Sequence, residues 1–193
     1  MRIAVLMGGT SDEREVSLSS GVEVANALRN AGHEVVAVDT VSGSLDVAEE
    51  VLLLEEGVSA APPPVGELAS LDEVHTVVIS GDPALSEIDV FFLALHGGSG
   101  EDGTIQALLE VTGVAYTGSD RLGCSLAMNK EVSKRLLRQA GVPTPDWLSG
   151  ERSAPEVAHT LGFPVIVKAS SGGSSLRLVL AHDLHDLESA INE

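Results

Sequence analysis

The first forty residues constrain the fold most tightly. They hold a short apolar run, two glycines, a helical stretch closed by a third glycine, and a second apolar run. Residues 3–7 are uniformly apolar, as a strand covered on both faces must be. Gly8-Gly9 ends that run in a tight turn. Residues 10–31 carry Val16, Ser20, Val24, Leu28 and Ala31 at helical spacing, and Gly32 supplies the stop. Asp12 and Glu15 are spaced as a capping box at the helix start. Residues 34–39 return to strand. Strand, helix and strand in so short a span imply a parallel pair with a right-handed crossover, hence an α/β fold.

Further along, residues 74–80 and 88–95 read as strands, the second almost wholly apolar. Residues 104–112 read as a helix with Ile105, Leu108 and Leu109 on one face, and residues 114–118 as a short extended piece. Residues 41–73 are less regular and read as a surface excursion: Pro62-Pro63-Pro64 is stiff, and residues 51–54 fit a strand or a helical turn. A domain boundary near Gly118-Ser119 gives an N-terminal domain over residues 1–118 and a second over 119–193. Residues 129–140 form an amphipathic helix with Val132, Leu136, Leu137 and Ala140 inward and the basic side chains outward. The tail alternates a strand at 164–168, a loop of small residues at 169–175, a strand at 176–180 and a helix at 183–191. Two strands joined by such a loop make a hairpin with a flap.

Composition narrows the partners. The chain has 11 basic and 29 acidic residues and a formal net charge of −18, which argues against nucleic acid and against an anionic membrane face. The apolar run at residues 90–95 falls far short of the ~20 residues that a membrane span needs. The five apolar residues before Gly8 are too few for a signal-peptide core. The single cysteine, Cys124, cannot close an internal disulfide and reads as a buried structural thiol. A cytoplasmic protein is expected.

The candidate chemistry lies at strand ends. In open parallel sheets ligands bind beyond the carboxyl ends of the strands. Gly8-Gly9 follows one such end, and His96 with the glycine-rich residues 97–103 follows another. Neither loop matches the dinucleotide fingerprint or the P-loop pattern. Glu13, in the first helical turn, either complements the helix dipole or faces the cleft as a carboxylate for a cationic amine. Glu15 is read as serving the cap and Arg14 as facing solvent. Residues 169–175, Ala-Ser-Ser-Gly-Gly-Ser-Ser, are either a solvated hairpin loop or an anion cradle, with Lys168 before them as a point charge suited to phosphate. Lys130 is a solvated helix charge or a second phosphate contact. His33, His75, His159, His182 and His185 show no metal-ligand spacing.

Taken together, several of these segments resemble the D-alanine–D-alanine ligase family. They are Gly8-Gly9-Thr10-Ser11-Asp12-Glu13-Arg14-Glu15-Val16-Ser17, Ala94-Leu95-His96-Gly97, and Gly100-Glu101-Asp102-Gly103-Thr104-Ile105-Gln106. Tyr116-Thr117-Gly118-Ser119, Met128-Asn129-Lys130, and Pro164-Val165-Ile166-Val167-Lys168 leading into Gly173-Ser174-Ser175 complete the set, in family order. The resemblance implies a Rossmann-like N-terminal parallel-sheet domain followed by part of an ATP-grasp α+β central domain. It implies ATP-dependent ligation of two D-alanines through an acyl phosphate, with Mg2+, for peptidoglycan synthesis. It implies that Glu13 holds the ammonium of the first D-alanine and that His96 lines that site. Lys130 and Lys168 would bind ATP phosphates. Ser174 and Ser175 would sit in a flap over them, Ser174 near Glu13.

The chain departs from the family pattern at Ala169, where proline is usual, and at Leu176-Arg177, where an apolar residue and a glycine are usual. Family members also continue past the point matching Glu193, with the magnesium ligands and a closing loop. Three domains of ~100 residues each need roughly 300, so the chain is expected to lack ligase activity alone and to hold no metal site. The alternatives are a non-catalytic fragment that binds D-alanine weakly or pairs with a partner chain carrying the rest, or a ligase joining D-alanine to D-lactate or D-serine. A homodimer through the N-terminal domain is the candidate assembly.

Overall fold

The computed structural model describes residues 1–59, 63–64, 68, 83–173 and 178–192. It divides into two compact units, Met1–Ser125 and Leu126–Glu193.

The first unit is built on β1 (Arg2–Met7), α1 (Arg14–Asn30) and β2 (Glu34–Asp39), the strand–helix–strand unit expected from the sequence. A short β3 (Gly43–Ser44), α2 (Val47–Glu56), β4 (Val90–Leu93), a single turn α3 (Gly98–Glu101), α4 (Thr104–Thr112) and β5 (Ala115–Tyr116) follow, and α5 (Arg121–Met128) begins in this unit and ends in the second. The sheet order is β3-β2-β1-β4-β5. β1 pairs in parallel with both β2 and β4, and β4 in parallel with β5; only β3 is antiparallel. The chain steps from β1 to one side and later returns to the other, so a crevice opens past the carboxyl ends of β1 and β4.

β1 is apolar throughout because both of its faces are covered. Ile3, Val5 and Met7 pack with Leu18, Val22 and Ala25 of α1, whereas Ala4 and Leu6 pack with Phe91, Leu95, Ile105 and Leu109. Each fully buried side chain of this size contributes roughly 1.5–3 kcal/mol. The approach of α1 to β1 requires Gly21: a Cβ there would lie 2.5 Å from Met7 Cβ.

The second unit contains α6 (Lys130–Gln139), α7 (Ala154–Leu161) and α8 (Leu184–Asn192) with a hairpin of β6 (Val165–Val167) and β7 (Val179–Ala181). Its small core is Ala154, Val165, Ala181 and Leu187, flanked by Val157, Leu161 and Val167. Asn129 caps α6 by accepting from the Glu131 and Val132 amides, and Ser153 caps α7.

Several local expectations need correction. The capping box at Asp12 does not form. α1 begins one residue later with Glu13 at the N-cap position, and the Glu15 carboxylate instead accepts from the Ser59 amide at 2.6 Å. The buried stripe of α1 is Ser17, Leu18, Gly21, Val22 and Ala25, one position round from the expected face, and Val16 is exposed. The shift follows from the two small residues, since Ser17 and Gly21 must face the sheet. Residues 51–54 are helical, within α2, which has its own capping box at Asp46 and Glu49. Leu136 and Leu137 of α6 are exposed rather than inward. Cys124 is half-buried, with burial first and then Asp120, Glu101 and Asp102 pushing its thiol pKa up. The strand expected at residues 74–80 lies outside the described residues, as does the start of the strand expected at 176–180.

Candidate functional site

Two strand ends are stitched together by one hydroxyl. Ser17 Oγ, fully buried, accepts from the Gly8 amide at 2.8 Å and donates to the Ala94 carbonyl at 2.8 Å. This fixes the Gly8-Gly9 turn after β1 against the segment after β4, and so sets Glu13 and His96 on the two walls of the crevice. Ser11 adds a second tie, since its hydroxyl donates to the His96 carbonyl at 2.6 Å and accepts from the Glu13 amide at 3.2 Å.

Glu13 is half-buried at the start of α1. Its Oε2 lies where a side chain on Gly97 would project, 2.6 Å from an ideal Cβ there. Gly97 also has φ +64°, a conformation that glycine adopts without strain. Burial pushes the Glu13 pKa up; the charges of Glu101 and Asp12 add to the rise, and His96 opposes it. A carboxylate held above its ordinary range among other acids favours a cationic partner. His96 is half-buried, with Nε2 3.2 Å from Ser20 Oγ on α1.

Arg14, expected in solvent, instead turns back under the Gly8-Gly9 turn. Its Nη1 donates to the Gly9 carbonyl and to Asp39 Oδ1, both at 2.9 Å, and its Nη2 donates to Asp39 Oδ2 at 2.6 Å. Asp39, buried at the end of β2, also accepts from the Val41 amide and the Ser42 hydroxyl. Burial raises the Asp39 pKa, but the Arg14 hydrogen bonds and charge, with Val41 and Ser42, outweigh it and hold the carboxyl below its usual range. Sequence reading missed Ser11, Arg14, Ser17 and Ser20. For two of the serines a signal was present: residues 13, 17 and 20 are polar at helical spacing, on one face with Glu13.

In the second unit, the loop after Lys168 returns to the start of α6. The Lys130 amide donates to the Ser170 carbonyl at 2.9 Å and its Nζ to the Gly172 carbonyl at 2.7 Å. The Gly172 amide contacts Met128 Sδ at 3.4 Å. Lys168 is exposed, and its charge helps lower the Lys134 pKa, after burial and ahead of Arg138. Among the described residues neither Lys130 nor Lys168 pairs with a carboxylate. Two uncompensated ammonium groups bordering a loop of small residues fit a polyphosphate. Ser174 and Ser175 lie outside the described residues. The structure therefore brings Glu13 and His96 together in the first unit, and Lys130 and the loop after Lys168 together in the second. No three His, Cys, Asp or Glu side chains gather as metal ligands among the described residues, and no described helix is long and apolar enough to cross a membrane.

Residues 2–119 match the family model described as D-ala D-ala ligase N-terminus. A D-alanine–D-alanine ligase of Marinomonas sp. (strain MWYL1) is 40% identical over 98% of this chain and 51% of its own length. One of Desulforudis audaxviator (strain MP104C) is 40% identical over the whole chain and 53% of its own. Among solved structures, the D-alanine–D-alanine ligase of Bacillus anthracis superposes with a TM-score of 0.69 at 33% identity, covering 100% of this chain and 53% of that one. The VanG D-Ala:D-Ser ligase of Enterococcus faecalis superposes with a TM-score of 0.73 at 26% identity, covering 99% and 58%. The chain spans about half the length of the relatives it matches. The strand-end crevice, Glu13 and His96 both tied to Ser11 at its edge, and these matches lead to one assignment: the chain belongs to the D-alanine–D-alanine ligase family.

Proposed function

We propose that this chain supplies the D-alanine-binding wall and part of the ATP-binding surface of a ligase that joins two D-alanines for peptidoglycan synthesis in the cytoplasm. The observation that carries the reading is Glu13. It is a half-buried carboxylate with a raised pKa, packed on Gly97 and near His96, at the point where the strand order reverses. Such a group suits the ammonium of an amino acid. His96 lines the same site. Lys130 and Lys168 hold ATP phosphates, and Ser174 and Ser175 belong to the flap above them. Residues 1–118 form the N-terminal domain and 119–193 the start of the central one; the family match ending at residue 119 supports that division.

In this reaction a carboxylate oxygen of the first D-alanine attacks the γ-phosphorus of ATP, and the bond to ADP breaks. The amine of the second D-alanine attacks the acyl carbon, loses a proton, and phosphate leaves with the bonding electrons. Phosphoryl transfer of this kind depends on positioning and charge neutralisation. Magnesium, implied by the family, would neutralise phosphate charge. The described residues offer no carboxylate cluster for it, and no step is assigned to it.

Calorimetric titration of the chain with D-alanine, beside its Glu13→Gln variant, tests the reading. Binding that weakens at least ~10-fold in the variant supports it, since a charge-assisted hydrogen bond contributes ~1.5–3 kcal/mol. Equal binding by both proteins, or no binding by either, removes Glu13 from the role. D-Serine and D-lactate titrated in parallel report the choice that the VanG neighbour raises.

A further inference from the structure

Ser20 lies on α1 one turn beyond Val16. Its Oγ is 2.7 Å from the Val16 carbonyl oxygen and 3.2 Å from His96 Nε2. A hydroxyl has one proton to give and two lone pairs. A carbonyl has no proton, so the short contact four residues back takes the hydroxyl's. Ser20 Oγ therefore meets the imidazole as an acceptor, and the proton between them belongs to Nε2. The other ring nitrogen, Nδ1, makes no hydrogen bond among the described residues.

We infer that Ser20 is a positioning residue for His96: it holds the neutral ring in the Nε2–H form and leaves the Nδ1 lone pair of that ring as an acceptor. Which ring nitrogen carries the proton is set by the partner of the other one. An acceptor nitrogen in a crevice that also holds the Glu13 carboxylate matches a primary ammonium, which has three protons to donate and no lone pair. A ligand carboxylate would instead need a donor at that nitrogen. This consequence for the ligand rests on the D-alanine reading above; the proton's location does not.

The test uses the 193-residue chain with 15N-labelled histidine in mildly alkaline solution, where an ordinary imidazole is neutral. His96→Gln assigns the His96 signals by their loss. In the unsubstituted chain the long-range 1H–15N pattern is expected to be that of the Nε2–H form, with a ring N–H proton protected from exchange. Ser20→Ala is expected to lose the protected ring proton and to move the pattern towards a tautomer mixture, and Ser20→Thr to restore both. Far-UV circular dichroism confirms that α1 persists. A proton on Nδ1 in the unsubstituted chain, or an unchanged His96 in Ser20→Ala, overturns the inference. Adding D-alanine separates the two claims: if the tautomer is as expected and no His96 signal moves, the D-alanine reading fails and the role of Ser20 stands.

Discussion

Gly97 and Glu13 occupy one space: a Cβ on the glycine would lie 2.6 Å from the Oε2 of the carboxylate, with the Ser11 side chain 3.2 Å away. The glycine after His96 is therefore what allows α1 to bring its first carboxylate across to the end of β4.

Gly97→Ala should damage the site more than the fold. The positive-φ, extended-ψ backbone at Gly97 (φ 64°, ψ 178°) is one that essentially only glycine adopts and costs another residue about 1–3 kcal/mol, and the methyl group must also displace Glu13 or Ser11. D-Alanine affinity is expected to fall at least ~10-fold while thermal melting drops by only a few degrees, since ~1 kcal/mol moves a domain of this size by roughly 2–8 °C. Calorimetry and a melting curve on the same sample check both. Unchanged affinity would show that Glu13 is not held against Gly97.

The raised pKa of Glu13 makes stability depend on pH in a stated direction. The folded state binds this proton more tightly than the unfolded state does, so the stabilisation is complete below the unfolded value. It is lost as pH rises through the folded value. Glu13→Gln removes the dependence. The variant is expected to match the unsubstituted chain at acidic pH and to exceed it in stability at neutral pH. D-Alanine binding should run the other way, strengthening as Glu13 ionises. Urea denaturation and calorimetry between pH 4 and pH 7 follow the two trends, and parallel stability curves for the two proteins would contradict the first.

Asp39 carries the opposite sign. Its lowered pKa gives stability that is present above the unfolded value and is lost as pH falls through the folded one. Asp39→Ala leaves Arg14 largely buried without its partner, with a side chain only 18% exposed. Breaking a buried pair in this way costs about 3–5 kcal/mol, and the lower end is expected here because Arg14 keeps its bond to the Gly9 carbonyl. Arg14→Met with Asp39→Leu should recover most of the loss, because replacing both partners leaves no orphaned charge. A double-mutant cycle by urea denaturation measures the coupling.

The sheet was legible because its punctuation is local: an apolar run, a glycine pair and a helical stripe lie within forty residues. The positions of Glu13 and His96 were legible for the same reason: His96 is the first polar residue past β4, and Glu13 lies at the start of the helix that follows the Gly8-Gly9 turn. Arg14 was not, because its partner lies 25 residues away and on another strand. Ser17 and Ser20 were obscured because serine on a helical face reads as a spacer unless the carbonyls it meets are known, and Ala94 is 77 residues from Ser17. Exposure of Leu136 and Leu137 was equally out of reach, since periodicity marks an apolar face without naming what covers it.

Ser17→Ala isolates the tie between the strand ends. It leaves the buried Gly8 amide and Ala94 carbonyl without this partner, at about 1–3 kcal/mol for an unmet buried group. Hydrogen exchange should quicken at the Gly8 amide while the amides of β2 keep their protection. Ser17→Thr keeps the hydroxyl but adds a methyl group in a fully buried position, so only partial recovery is expected. Unaltered exchange at Gly8 in Ser17→Ala would mean that the turn is held by other contacts.

Two lysines of α6 should separate by function. Among the described residues Lys130 Nζ is tied to the Gly172 carbonyl alone, whereas Lys134 Nζ donates to the Pro145 carbonyl at 2.8 Å and the Thr144 hydroxyl at 3.2 Å and lies 5.0 Å from the Trp147 ring centroid. Lys134 is thus committed to holding the segment after α6, and Lys130 to a loop that borders Lys168. Lys130→Met is expected to weaken ATP binding about tenfold, the loss of one charge-assisted contact of ~1.5 kcal/mol, with little change in melting temperature. Lys134→Met is expected to lower the melting temperature and shift Trp147 fluorescence while ATP binding changes less than twofold. Fluorescence titration with a nucleotide analogue and melting curves on both variants decide the matter. The reverse pattern would move the phosphate contact from Lys130 to Lys134 and leave Lys130 as a loop anchor.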